Sequence, residues 1–170
     1  MPTSASRRIS RASTEAYSSS KRSVSLALSV QHATARDGLP ADSTLRRWLS
    51  RALERDAAMT LRFVGNAEGR RLNRELRSRD YATNVLTFVY ESEDAKTLSG
   101  DLVLCVPVLK HEAREQGKTF RAHCAHLVIH GALHLQGYDH GSGKDARVME
   151  ALETRLLGTL GYADPYEDNR

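Results

Sequence analysis

Three histidines set the tightest local constraint on this chain of 170 residues: His130, His134 and His140, with Gly137 between the last two. Residues four apart lie on one helix face, about one turn apart, so a helix lets His130 and His134 close on a single ion. Gly137 can take the left-handed conformation that ends a helix, and the turn it makes can bring His140 back over the same face. Imidazole suits zinc and other borderline divalent cations, and three protein ligands leave the open fourth position of a catalytic rather than a structural zinc site. The surroundings are rich in the same residue: six of the seven histidines fall within residues 111–140. His126 precedes His130 by one turn and is a rival ligand. It lies two turns, about 10 Å or more, from His134, so the three helical histidines cannot share one small ion. His123 and His126 therefore read as supporting or core residues, and His111 as an ordinary helix residue. Asp139 either orients a ligand imidazole by accepting its second N–H or caps the turn.

The rest of the chain supplies a scaffold for that helix. Alternating Val24, Leu26, Leu28 and Val30 predict a strand over 24–31, and Met59, Leu61 and Phe63 predict a second. Residues 84–90 and 100–106 predict two more. Between them the apolar spacing predicts helices: one capped by Asp42 and running to about Arg55, and one capped by Asn66 that carries Leu72 and Leu76. A third has Pro107 in its first turn and stops at Gly117. A fourth runs from the Thr119 cap to about Leu135, and a last one starts at Ser142 with Val148, Met149, Leu152, Leu156, Leu157 and Leu160. Four strands and about five helices make a one-sheet α/β (α+β) domain, with the histidine site on a helix of the C-terminal half. Strand order is not readable from these patterns.

Charge is uneven. The formal net charge is +4, and residues 1–23 account for all of it through Arg7, Arg8, Arg11, Lys21 and Arg22 against Glu15. With eight serines and almost no large apolar residue, that stretch reads as a disordered basic tail; an Arg- and Ser-rich organelle transit segment is the competing reading. No apolar run approaches the roughly 20 residues of a membrane span. Cys105 and Cys124 lack CxxC spacing and read as buried, reduced thiols of a cytoplasmic protein. Six arginines lie within 18 residues (Arg62, Arg70, Arg71, Arg74, Arg77, Arg79). Guanidinium is the natural bidentate partner of phosphate, although most of the six fit a solvated helix face.

The spacing H-x-x-x-H-x-x-G-x-x-H matches the metal motif of metzincin proteases, in which a glutamate follows the first histidine and acts as general base. Here that place is Gly131, so the cradle lacks the peptidase base. A zinc ion held there can still polarise a phosphoryl oxygen.

His130-Gly131, Leu133-His134-Leu135 and Gly137-Tyr138-Asp139-His140 together resemble the signature of the YbeY family, metal-dependent endoribonucleases of bacterial ribosomal RNA maturation. Leu72-Asn73 with Arg77, Thr83–Phe88, Gly100–Cys105, Glu112, Glu115–Lys118 and the Leu160–Tyr166 ending extend the resemblance over about residues 24–166. Ala82 and Val89 depart from it, standing where the family often has proline. The resemblance implies a single domain with a small mixed sheet between helices, one zinc ion on His130, His134 and His140 (another divalent metal would also suit the site), and Arg77 as catalytic arginine. It implies single-stranded RNA as substrate, notably the 3′ end of 16S ribosomal RNA. It also implies a part in ribosome quality control beside small-subunit assembly factors, including a ribosome-associated GTPase, with neither DNA nor membrane as partner. Residues 1–23 and 167–170 fall outside it as tails. Two other readings remain open: a zinc hydrolase of another substrate, and a ribosome-assembly module with structural zinc.

Overall fold

The computed structural model describes residues 23–91 and 96–169, so the reading of residues 1–22 as a basic tail lies outside the described residues. Four strands form one mixed sheet in the order β1-β2-β4-β3: β1 (Leu26–His32), β2 (Ala57–Val64), β3 (Val85–Tyr90) and β4 (Leu98–Cys105). β1 runs parallel to β2 and β2 parallel to β4, while β3 is antiparallel to β4. Five helices flank the sheet: α1 (Asp42–Ala52), α2 (Asn66–Arg77), α3 (Val106–Glu115), α4 (Phe120–Leu135) and α5 (Gly143–Thr159). Residues 167–169 add one 3-10 turn.

The period of two along β4 sorts its side chains onto two faces. Leu98, Leu102 and Leu104 join the main core with Leu45, Trp48 and Leu49 of α1 and Val128, Ile129 and Leu133 of α4. Val103 and Cys105 point to the other face and form a smaller cluster with Val64 and Leu86, against which Leu72 of α2 packs. The central helix is α4, which touches α1, α3, α5 and strands β3 and β4. That environment explains why it is apolar on most of its circumference, as a buried helix must be.

Two glycines let α4 lie this close to the sheet. A Cβ on Gly131 would sit 2.6 Å from Leu102 Cδ2, and a Cβ on Gly100 would sit 2.6 Å from the Phe88 carbonyl oxygen and 3.0 Å from Leu135 Cδ2. Some boundaries differ from the sequence expectation. Ala41, not Asp42, occupies the N-cap of α1, and Gly65, not Asn66, that of α2. Both acid or amide residues stand inside the first turn, where free N–H groups also favour them. Leu76 and Val148 are half exposed rather than packed.

Candidate metal centre

The geometry of the site begins with the ends of α4. Thr119 caps its start, its hydroxyl oxygen accepting from the Ala122 N–H at 3.1 Å. At the other end Gly137 has φ of +95°, the left-handed value that only glycine adopts without strain, and the chain doubles back. Asp139 Oδ1 accepts from the His140 N–H at 2.7 Å, so the aspartate holds the turn. The result is that His134 Nε2 lies 3.1 Å from His130 Nε2 and 3.2 Å from His140 Nε2. His130 and His134 are partly buried and His140 is exposed.

These distances suit a metal ion. Two imidazole nitrogens at about 2.05 Å from a tetrahedral zinc lie about 3.3 Å apart. Without an ion, one proton on His134 Nε2 can point at only one of its two neighbours. Burial, then the nearby His130 and His140, lower the His134 pKa from its ordinary value. Those effects favour the neutral ring, the form that can ligate.

One functional residue was not apparent in the sequence. Glu153 of α5 is fully buried, and its Oε1 lies 2.5 Å from His130 Nδ1. The ionised carboxylate can only accept, so His130 Nδ1 carries the proton and its Nε2 lone pair faces His134. Glu153 Oε2 meets His126 Nε2 at 3.2 Å and also accepts from the Tyr166 hydroxyl. Burial pushes the Glu153 carboxyl up, but the hydrogen bonds from His126 and His130 outweigh it and hold it down at about 2. His126 is thus placed one step behind His130. His123 is placed farther back, its Nε2 lying 2.7 Å from Glu112 Oε2. A sequence signal for Glu153 existed: it lies four residues after Met149 and four before Leu157, within the buried stripe of α5.

Arg77 ends α2 and lines the same cavity of about 730 Å3 as the three histidines, with Thr83, Asn84 and Asp139 also on its wall. The arginine cluster divides here. Arg62 pairs with Glu68 at 2.9 Å, Arg70 with Asp80 at 2.7 Å, Arg71 with Glu75 at 3.2 Å and Arg74 with Asp80 at 3.9 Å. Among the described residues Arg77 has no carboxylate partner, and its exposed guanidinium is free to bind an anion beside the histidines. The loop after α2 is fixed from below: buried Asn73 donates from Nδ2 to the Tyr81 carbonyl oxygen at 2.7 Å.

Gly131 points away from this cavity, into Leu102. A glutamate there would meet the sheet instead of the site. The missing peptidase base thus has a packing cause as well as a chemical consequence.

Known proteins resemble this chain over most of its length. The family model described as Endoribonuclease YbeY matches residues 30–161. Endoribonuclease YbeY of Aromatoleum aromaticum is 58% identical over 144 residues, covering 83% of this chain and 92% of that protein. Endoribonuclease YbeY of Cupriavidus metallidurans is 50% identical over 148 residues, covering 85% of this chain and 75% of that one. A solution structure of a Thermotoga maritima protein aligns at 25% identity with a TM-score of 0.49, covering 81% of this chain and 97% of that one.

Proposed function

Because the chain belongs to the YbeY family of endoribonucleases, we propose that it is a zinc-dependent enzyme that cleaves single-stranded RNA at the maturing 3′ end of 16S ribosomal RNA. The observation that carries this reading is the Arg77 guanidinium, unpaired among the described residues, on the same cavity wall as His130, His134 and His140. Its other elements are a domain over residues 24–166, action in the cytoplasm, and a quality-control role with small-subunit assembly factors and a ribosome-associated GTPase. These extend the family resemblance.

His130, His134 and His140 would hold the ion, with Glu153 fixing the tautomer and aim of His130. When bound, a divalent ion at this place polarises a phosphoryl oxygen. Arg77 binds the non-bridging oxygens of the scissile phosphate and offsets the charge that builds on them as the bond breaks. A carboxylate-paired arginine could not do this as well, since its donors would already be satisfied. Aromatic residues make up only 6% of the chain, which limits recognition by base stacking and leaves the ribosome to supply most of the specificity. A peptidase reading loses support from Gly131, where a general base has no room.

The experiment is cleavage of a single-stranded RNA and its duplex by the purified protein, with and without a chelator, and by His134→Ala. The expected result is cleavage of the single strand that stops with chelator, returns with zinc, and is absent in His134→Ala. Undiminished cleavage after complete metal removal would overturn the proposal.

A further inference from the structure

A second cavity, of about 540 Å3, adjoins the first. Asn84 and His130 line both, so these two residues form the partition between them. The volume falls in the range of roughly 300–1,000 Å3 typical of small-molecule sites. The two cavities differ in chemistry. The second is walled by Glu112, Glu115 and Asp168 against a single lysine, Lys118. That lysine is already engaged, its Nζ donating to the Pro165 carbonyl oxygen at 2.7 Å and to Gln116 Oε1 at 3.0 Å. A phosphate would meet net negative charge here, while the first cavity offers it Arg77.

Glu112 is the most fully hydrogen-bonded carboxylate of this second wall. Its carboxylate receives Asn84 Nδ2 at 3.1 Å and lies 2.7 Å from Nε2 of the buried His123. Burial pushes the Glu112 carboxyl up, and the hydrogen bonds from His123 and Asn84 outweigh that, so its pKa is lowered. Glu112 is therefore an ionised, acceptor-only group. With lone pairs left beyond those two bonds, it favours a ligand that presents hydrogen-bond donors.

We propose that the second cavity receives the base of the nucleotide flanking the scissile phosphate, and that it favours bases with an exocyclic amino group over uracil. The inference rests on the nuclease reading above. A nucleotide whose phosphate lies beside His130 can place its base across the Asn84–His130 partition. Adenine and cytosine then offer an amino group to the carboxylates. Uracil offers one N–H flanked by two carbonyl oxygens, which face like-charged acceptors and go unpaired. Selection here is by hydrogen bonding rather than stacking, in keeping with the scarcity of aromatic residues.

Nucleosides carry no phosphate and so probe this cavity alone. Adenosine, cytidine and uridine are titrated into the isotope-labelled full chain, and the backbone resonances of Glu112, His123 and His126 are followed beside those of Arg77. The expected result is that adenosine and cytidine shift the first group, leave Arg77 in place, and bind about 3- to 10-fold more tightly than uridine, the worth of one hydrogen bond. Glu112→Gln equalises the three. If that variant loses the native spectrum, Glu115→Gln, on the exposed side of the wall, reduces the preference instead. Absence of shifts around Glu112, or equal binding of all three nucleosides by the unaltered protein, overturns the inference. A protein that binds nucleosides as expected but cleaves no RNA leaves the cavity assignment standing and sinks the nuclease reading alone.

Discussion

His130 Nδ1 and Glu153 Oε1 face each other at 2.5 Å, across α4 and α5, with the glutamate fully buried. This pair fixes which nitrogen of His130 is free to ligate. Removing it leaves His126, His130 and Tyr166 without their shared acceptor. Glu153→Ala is expected to weaken zinc binding roughly 10- to 100-fold, as loss of a carboxylate behind a ligand imidazole generally does. Competition against a chromophoric chelator at neutral pH measures this. Unchanged affinity in a folded variant would count against the role given to Glu153.

The same carboxylate predicts an acid limb of stability. Its folded pKa lies at about 2, below its ordinary value of 4.5. A depressed carboxylate contributes stability that is fully present above the unfolded pKa and is lost as pH falls through the folded one. Thermal midpoints of the metal-free protein and of Glu153→Gln should therefore differ most above about pH 4.5, and the gap should shrink between there and pH 2. A gap that is constant across this window would show that Glu153 is not held ionised.

The close seating of α4 on the sheet predicts the response of two glycines. An added Cβ at Gly100 meets the Phe88 backbone oxygen, which cannot swing away, whereas at Gly131 it meets the end of the Leu102 side chain. Both substitutions to alanine should destabilise, by about 1–3 kcal/mol for overpacking, with Gly100→Ala the worse. Urea unfolding of the two variants gives the order. Gly131→Ala should also lower metal affinity, because the shift of α4 moves His130 and His134.

Much of the histidine cluster was legible because it is local. The four-residue spacing of His130 and His134, the stop at Gly137 and the caps Thr119 and Ser142 all express helix geometry, and the structure places them as expected. Glu153 was legible only as an acid on the apolar stripe of α5, not as the partner of His130. An acid on a helix is ordinary at the surface, and only the packing of α5 on α4 turns this one inward, 23 residues from its partner. The fate of the arginines was hidden for a similar reason. Whether Arg70, Arg74 or Arg77 is paired depends on the path of the loop that brings Asp80 back to α2. Strand order depends on which strands meet across long separations, and the insertion of β4 between β2 and β3 leaves no mark in the alternation of any one strand.

That loop makes a further prediction. Asn73 is 1% exposed and ties its amide to the Tyr81 carbonyl, holding the segment that leads to Thr83 and Asn84 in the cavity wall. Asn73→Ala should cost about 0.5–1.5 kcal/mol, the net worth of one hydrogen bond, and should slow RNA cleavage while zinc content stays unchanged. Calorimetry with metal analysis of the same sample separates the two effects. Loss of zinc along with activity would place Asn73 in support of the histidines instead.

The most direct measurement combines zinc content with single-turnover cleavage of a single-stranded RNA by Arg77→Ala. Arg77 is the proposed phosphate contact and takes no part in holding the ion. The expected result is one zinc per chain, as in the unaltered protein, with cleavage reduced roughly 10²- to 10³-fold, the loss typical of removing one group that stabilises transition-state charge. Cleavage at the unaltered rate by the fully loaded variant would contradict it.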